Sequence, residues 1–433
     1  MRYTWLTIIA LLFGTHAWAA APLTIDEAVR EALEKSPRIH EQIAYRDAAA
    51  LGRKAARADF FPRLSGAYAY HNLSESPFVT INGNQVTTNS QDQHHWEVTL
   101  SQPIFSGWAI SARHRIAQLG LSTRELELQQ TRQMLILNVR QRCFELLMAE
   151  KTLAVTRSST AALMAHETDV RKFYENGLGP LNDLLKAQVA RGDALLRQHR
   201  AEANVRQVRA ALCLLLGRDL DQSIEIRDLQ TGAAPIADLD RLIDQALSAR
   251  PEVALLTKAI QSQLRQQQLA RSDYYPQIEL TGKYQQDGDD PGARNNDYTN
   301  QYNASIGLQA RWTVFTFGKT RARSAQAAAE KHALEQALTT TRDDIRLQVV
   351  KARLDLDVAL HNIETTTTAL EQAQEHWRIT NLLYQQQLTT STQVLDARSF
   401  LDRAQSTFHE AHYGYGAALA QAQWAIGNSS PDK

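Results

Sequence analysis

Four stretches of the chain alternate apolar and polar positions with a period of two. Leu64, Gly66, Tyr68 and Tyr70 alternate with Ser65, Ala67, Ala69 and His71, and Trp96, Val98 and Leu100 with Glu97, Thr99 and Ser101. Later, Ile278, Leu280 and Tyr284 alternate with Glu279, Thr281 and Lys283, and Ile306, Leu308 and Ala310 with Ser305, Gln309 and Arg311. Successive side chains of a strand point to opposite faces, so each stretch predicts a strand with one apolar and one polar face. The predicted strands are 64–71, 96–105, 278–285 and 302–312, near the length of a tilted strand that crosses a bilayer. A soluble sheet with one wet face would alternate in the same way. The polar runs 72–95 and 285–301 predict hairpin loops. His94-His95 falls in the first, without further ligands at metal spacing.

Elsewhere the pattern is helical. Short helices are predicted at Ile25 to Lys35 and Leu239 to Ala249. Pro37 and Pro251 each open a second helix, which Pro62 and Pro276 end, because proline cannot continue a helix interior. No proline lies between Pro103 and Pro180, and neither glycine nor proline between Gly318 and Gly414. A helix from Ile110 to Asn176 would be about 100 Å long at the standard rise. Ile345, Val349, Ala352, Leu356, Ala359 and Ile363 step by fours and threes, a coiled-coil seam. Each long run should fold back once: at Asn176-Gly177-Leu178-Gly179-Pro180, where glycine stops one helix and proline starts the next, and near Leu388 to Thr392.

The layout is written twice. Asp59 to Leu64 (DFFPRL) returns as Asp273 to Ile278 (DYYPQI), 214 positions later. Tyr174, Leu178, Leu185 and Ala187 return as Tyr384, Leu388, Leu395 and Ala397, 210 positions later. An internal two-fold repeat follows, with halves 20–229 and 230–433 and a linker at Gly232 to Asp238.

Composition narrows the function. With 47 basic and 47 acidic residues the chain lacks the charge that nucleic acid binding requires. Residues 1–19 have a basic start, an apolar core and an Ala17-Trp18-Ala19 cleavage site, so a signal peptide is expected. No cysteine stands near that site, so no N-terminal lipid is expected. No later apolar run is long enough for a membrane helix, which leaves a β-barrel as the other way to span. Four strands cannot close one, but three copies give twelve. Their polar long helices would then continue as a ring around water. On the polar strand faces, Glu97, Glu279, Lys283 and Arg311 are candidates to set the charge of such a pore. Cys143 and Cys213 stand 35 positions before and after Leu178, level in a hairpin. A disulfide between them and two buried free thiols are both consistent with that. No phosphate loop, zinc spacing or nucleophile elbow occurs, so neither enzyme activity nor a cofactor is expected. A soluble periplasmic coiled-coil scaffold with a small β domain is the alternative.

The duplicated junction resembles that of the TolC-like outer-membrane efflux family, as do LSQPIFSGW (Leu100 to Trp108), LILN (Leu135 to Asn138) and YENGLGPLNDLLKAQ (Tyr174 to Gln188). VLDARSFLDRAQ (Val394 to Gln405) is the second copy of the last. The resemblance covers essentially the whole mature chain. It implies an α+β membrane protein: four transmembrane strands per chain, pooled in a homotrimeric 12-stranded barrel in outer-membrane lipid. A long periplasmic helical barrel continues it, docked to a periplasmic adaptor and an inner-membrane transporter of a Gram-negative cell. Gly177, Leu178, Gly179, Leu388 and Thr389 would be adaptor-contacting tips, and Asp183 and Asp396 a periplasmic gate. Gln387 and Gln393 stand where the family has glycine and an acid.

Overall fold

The computed structural model describes residues 22–228 and 238–428. The expected signal peptide and nearly all of the expected linker lie outside the described residues. The chain forms two compact units, Arg38–Thr131 with Ile243–Leu347, and Met1–Pro37 with Arg132–Leu242 and Gln348–Lys433. Each unit therefore draws on both halves of the sequence.

The first unit holds the strands. Helix α2 spans Pro37–Ala58 and α6 spans Pro251–Arg271, the latter followed by one 3-10 turn at Ser272–Tyr274. The strands are β1 (Arg63–Asn72), β2 (Phe78–Ile81), β3 (Asn84–Thr87), β4 (Asp92–Phe105), β5 (Gln277–Gly288) and β6 (Tyr302–Arg311). β1, β4, β5 and β6 make one antiparallel sheet in that order. β4 begins four residues before the expected strand, so His94 and His95 lie in it and not in a loop. The run 72–95 is also less irregular than expected. β2 and β3 pair across Asn82-Gly83, both at positive φ (51° and 87°). Asn-Gly is the pair a tight hairpin turn favours, so this element was readable.

Each passage between helix and strand is built alike in the two halves. Pro62 and Pro276 precede β1 and β5. Asp59 and Asp273 lie 3.7 Å from Arg113 and 3.8 Å from Arg323, on the helices that leave the sheet. Those helices, α3 (Ala109–Glu175) and α7 (Lys319–Gln385), start after two residues at positive φ: Gly107 and Trp108, then Phe317 and Gly318.

The second unit is helical. α1 (Ile25–Lys35) opens on a capping box in which Thr24 and Glu27 satisfy each other's backbone amides. It packs on α4 (Leu181–Leu216), and just past the end of that helix Arg218 donates to both carboxylate oxygens of Glu31, at 2.7 and 2.5 Å. α8 spans Ser391–Ala425, and α5 (Leu239–Ala249) crosses the boundary, with most of its length from Ile243 on in the first unit. Buried side chains step by threes and fours: Ile136, Val139, Cys143 and Leu146 on α3, Ala201, Val205, Val208 and Leu212 on α4, and Val394, Ala397 and Leu401 on α8. The expected seam on α7 is buried at Ile345, Val349, Ala352 and Leu356, and only half-buried at Ala359 and Ile363.

Candidate functional site

Two places gather the expected site residues, the sheet and the hairpin turns. In the sheet, strand register settles the faces. Glu97, Glu279, Lys283 and Arg311 all fall on one face, with Thr99, Thr281, Ser305 and Gln309. Lys283 Nζ lies 2.6 Å from Glu97 Oε2, and Thr99 donates to Glu97 Oε1 at 2.8 Å. His95 joins the group, with Nδ1 2.6 Å from Asp287 Oδ1 and Nε2 3.4 Å from Glu97 Oε2. Glu279 and Arg311 sit toward the opposite end of the strands. His95 and Asp287 join the site because β4 and β5 run on past the alternating stretches, into segments whose composition predicts loops.

The other face is apolar and open. Leu64, Leu100, Ile306 and Leu308 are 70, 47, 85 and 68% exposed. Aromatic rings flank this aliphatic band. At the loop end Tyr68 packs on Trp96 (4.7 Å between centroids) and Tyr284 on Tyr302 (6.5 Å). At the helix end Trp108 packs edge-on against Tyr275 (4.9 Å) and Phe315 against Phe317 (4.6 Å). Aliphatic residues between two aromatic bands are the lipid-facing signature of a membrane barrel.

The hairpin turns lie between α3 and α4 and between α7 and α8. In the first, Leu178 N–H donates to Phe173 O (2.8 Å) and Gly177 N–H to Tyr174 O (2.9 Å); in the second, Leu388 donates to Leu383 O and Gln387 to Tyr384 O, both at 2.9 Å. This is the two-bond helix stop that requires a left-handed residue, here Gly177 (φ 71°) and Gln387 (φ 61°). Leu178 and Leu388 project at 63 and 69% exposure.

Behind the turns one apolar cluster joins the two hairpins: Val170, Leu184, Ala187, Tyr384 and Val394, with Phe173 and Trp377 against it. Beside it is a buried polar contact. His166 Nε2 lies 2.9 Å from Ser391 Oγ, and its ring is 4.9 Å from that of Tyr384. Burial pushes the His166 imidazole below its usual value, with Asp169 and Asp183 opposing. Burial also pushes the Tyr384 phenol up to about 12, and here the two aspartates add to the shift. His166 was missed by sequence reasoning, yet it sits at seam spacing between Leu163 and Val170, where a titratable side chain must be buried.

The two expected gate acids have different settings. Asp183 is half-buried in the first turn of α4, where the helix N-terminus favours an acid, and its charge reaches His166 and Tyr384. Its counterpart Gln393 closes a capping box with Thr390. Asp396 is exposed on α8. Lys186 Nζ lies 3.3 Å from Thr392 Oγ1 and ties the hairpins together.

Cys143 and Cys213 are free and buried, so of the two readings the thiols hold in this structure. Level positions on two helices do not place the sulfurs face to face. Burial pushes the Cys143 thiol up to about 12, and the Cys213 Sγ hydrogen is directed at Gln222 O, 3.4 Å away. Among the described residues no three His, Cys, Asp or Glu side chains are placed to hold a metal ion, and no helix is long and apolar enough to cross a membrane.

Comparison with known proteins agrees with this geometry. The family model described as "outer membrane efflux protein" matches twice, over residues 28–218 and 242–428. The chain is 23% identical to the outer membrane protein TolC of Vibrio cholerae, over 98% of this chain and 94% of that one. It is 25% identical to the alkaline protease secretion protein AprF of Pseudomonas aeruginosa, over 98% and 88%. The crystal structure of the CmeC outer membrane channel of Campylobacter jejuni superposes with a TM-score of 0.81 at 16% identity, covering 94% of this chain and 86% of that one. The chain belongs to the outer membrane efflux protein family.

Proposed function

We propose that this chain forms the outer-membrane channel of a tripartite efflux or secretion system, an exit duct across the periplasm and outer membrane. One observation carries the reading. The sheet is a fragment, with one exposed aliphatic face between aromatic bands and, among the described residues, a single neighbour for each of β1 and β6. An open sheet edge is not tolerated in lipid, so several copies must pool their strands. Three copies give a 12-stranded barrel, with the face of Glu97, Glu279, Lys283 and Arg311 toward its lumen.

Further exposed apolar side chains support assembly through the helices. Leu347, Leu354 and Val358 form a stripe on α7 that the buried seam does not use, at 67, 58 and 59% exposure. The two halves are duplicated units, each giving two barrel strands and one helical hairpin. The turns with Leu178 and Leu388 are the periplasmic tips offered to an adaptor, which links the duct to an inner-membrane transporter. Rings of Asp183 and Asp396, three of each per trimer, form an acidic gate that favours cations.

The reading is tested by fractionation and conductance. The protein should sediment with outer membrane, require detergent, run as a trimer and conduct ions in a planar bilayer. Recovery in the periplasmic wash with no conductance would refute it. For the gate, Asp396→Ala should weaken cation preference, read from the reversal potential in a salt gradient. An unchanged potential removes Asp396 from that role.

A further inference from the structure

Below the sheet, a cavity of about 270 Å³ opens between α3 and α6. Arg115, Gln118 and Ser122 line it from α3, and Lys258, Gln261 and Arg265 from α6. It lies roughly 10 to 20 Å along both helices from the sheet, at the standard rise of 1.5 Å per residue. Three of the lining side chains are cations and none is an acid. The flanking sequence is equally one-sided, with no Asp or Glu from Ala109 to Arg124 or from Val253 to Arg271. Acids on the neighbouring segments are engaged elsewhere. Asp59 lies 3.7 Å from Arg113, and Glu330 on α7 accepts from Gln263.

What the two arginines bond is neutral. Arg115 Nη1 donates to Gln118 Oε1 at 3.0 Å, and Arg265 Nη1 to Gln268 Oε1 at 2.8 Å. These amides hold the guanidinium groups without cancelling their charge, and leave most of their five donors unused. Lys258 is half-buried and, among the described residues, has no hydrogen-bond or ion-pair partner. The repeat shows that the wall does not require these cations. Raising the α3 positions by 210 and lowering the α6 positions by 214 puts Ala325 in the place of Arg115, Ala44 in that of Lys258 and Leu51 in that of Arg265. Asp47 takes the place of Gln261. The basic lining belongs to one half only, so the packing of the duplicated unit does not dictate it. Like charges held in one cleft raise the energy of the empty groove and concentrate anions there.

We infer that the groove between α3 and α6 is a binding site for a phosphate group, held by Arg115, Lys258 and Arg265. Three cations favour a doubly charged oxyanion over a singly charged carboxylate, and a phosphate monoester carries nearly two charges at neutral pH. The guanidinium forks donate to pairs of oxygens, and the ammonium meets another as a point charge. Gln261 and Ser122 supply neutral donors beside them. The site is contained in one chain, so it depends neither on the pooling of copies nor on channel activity. The group can arrive on a soluble molecule or on a phospholipid, since the sheet above carries the lipid-facing band.

Titration calorimetry of the full chain, in detergent and free of phosphate buffer, tests the site at constant ionic strength. Inorganic phosphate and sulfate should each bind about tenfold or more tighter than acetate. Lys258→Gln and Arg265→Gln should each weaken phosphate binding about tenfold. Lys258→Arg should keep it, as should Lys331→Gln, whose ammonium already faces Glu335 at 3.0 Å. Should a glutamine variant fail to fold, the preference of the unsubstituted chain for phosphate over acetate still decides. Glycerol 1-phosphate and short-chain phosphatidic acid separate the sources. Equal affinity assigns a soluble one, and about tenfold tighter binding of the lipid assigns the membrane. No binding of any phosphate compound, acetate binding as tightly as phosphate, or unchanged affinity in folded Lys258→Gln and Arg265→Gln would each overturn the site. None of these outcomes touches conductance or fractionation with the outer membrane, so the channel stands or falls separately.

Discussion

Gly177 and Gln387 hold the same place in two turns that share their hydrogen bonds, at φ 71° and 61°. The surrounding side chains diverge. Tyr174 and Tyr384 are counterparts, but the first is 41% exposed and the second is 8% exposed within the apolar cluster. His166 is buried against Ser391, whereas its counterpart His376 is exposed. Asp183 meets the start of α4 with a charge, whereas Gln393 meets the start of α8 with a capping box. The two hairpins thus keep one backbone frame but are sided differently. The second turns its tyrosine inward and the first turns its histidine inward, and each supplies what the other lacks at the contact between them.

The largest expected effect follows from that siding. Tyr384→Ala removes a ring from a packed cluster and should cost about 3 kcal/mol. Tyr174→Ala should change stability by no more than about 0.5 kcal/mol, as at other exposed positions. Hydrogen exchange at the tip ends of α7 and α8 for Tyr384→Ala, and of α3 and α4 for Tyr174→Ala, measures the two. Equal losses in the two variants would mean that the hairpins are not sided as described.

The turns themselves come next. A left-handed conformation costs an ordinary residue about 1 kcal/mol that glycine avoids. Gly177→Ala should therefore destabilise the first tip by about that much. Gln387→Gly should stabilise the second by up to about the same amount, less the backbone entropy glycine adds to the unfolded chain. Thermal unfolding in detergent, with exchange of the tip amides, checks the pair. If Gln387→Gly loosens the second tip, its side chain has a holding role that the turn geometry does not reveal.

Much of this was legible in the sequence, and the gaps have physical causes. The four long strands were readable because one face is apolar along their length. The start of β4 was not, because Asp92 to His95 has no alternation and becomes strand by pairing with its neighbours, as in Tyr70 opposite His94 and His95 opposite Asp287. The β2–β3 hairpin had its Asn-Gly turn in plain view inside a run that reads as loop by composition. Spacing placed Cys143 and Cys213 level along their helices, but a helix also has a direction around its axis, and that depends on packing. The family resemblance placed Asp183 and Asp396 just after the turns. It could not tell that one is half-buried beside His166 and the other exposed.

The smallest effect expected is a slope with pH at the contact between hairpins. His166 faces Asp169 on its own helix, Asp183 on α4, Tyr384 on α7 and Ser391 on α8. Burial holds its folded value below the ordinary 6.5, so above that pH neither the folded nor the unfolded chain carries the charge. As the pH falls through 6.5 the unfolded chain takes the proton first. Stability then declines, and its decline levels off below the folded value, where both states are protonated. Wild type should lose thermal stability over this window, whereas His166→Gln, which can still bond Ser391, should have a flatter profile there. His376→Gln serves as the counterpart, since its ring is exposed and does not enter the contact. If the two variants flatten the profile equally, the pH response does not arise at His166, and the inward histidine is only a packing residue.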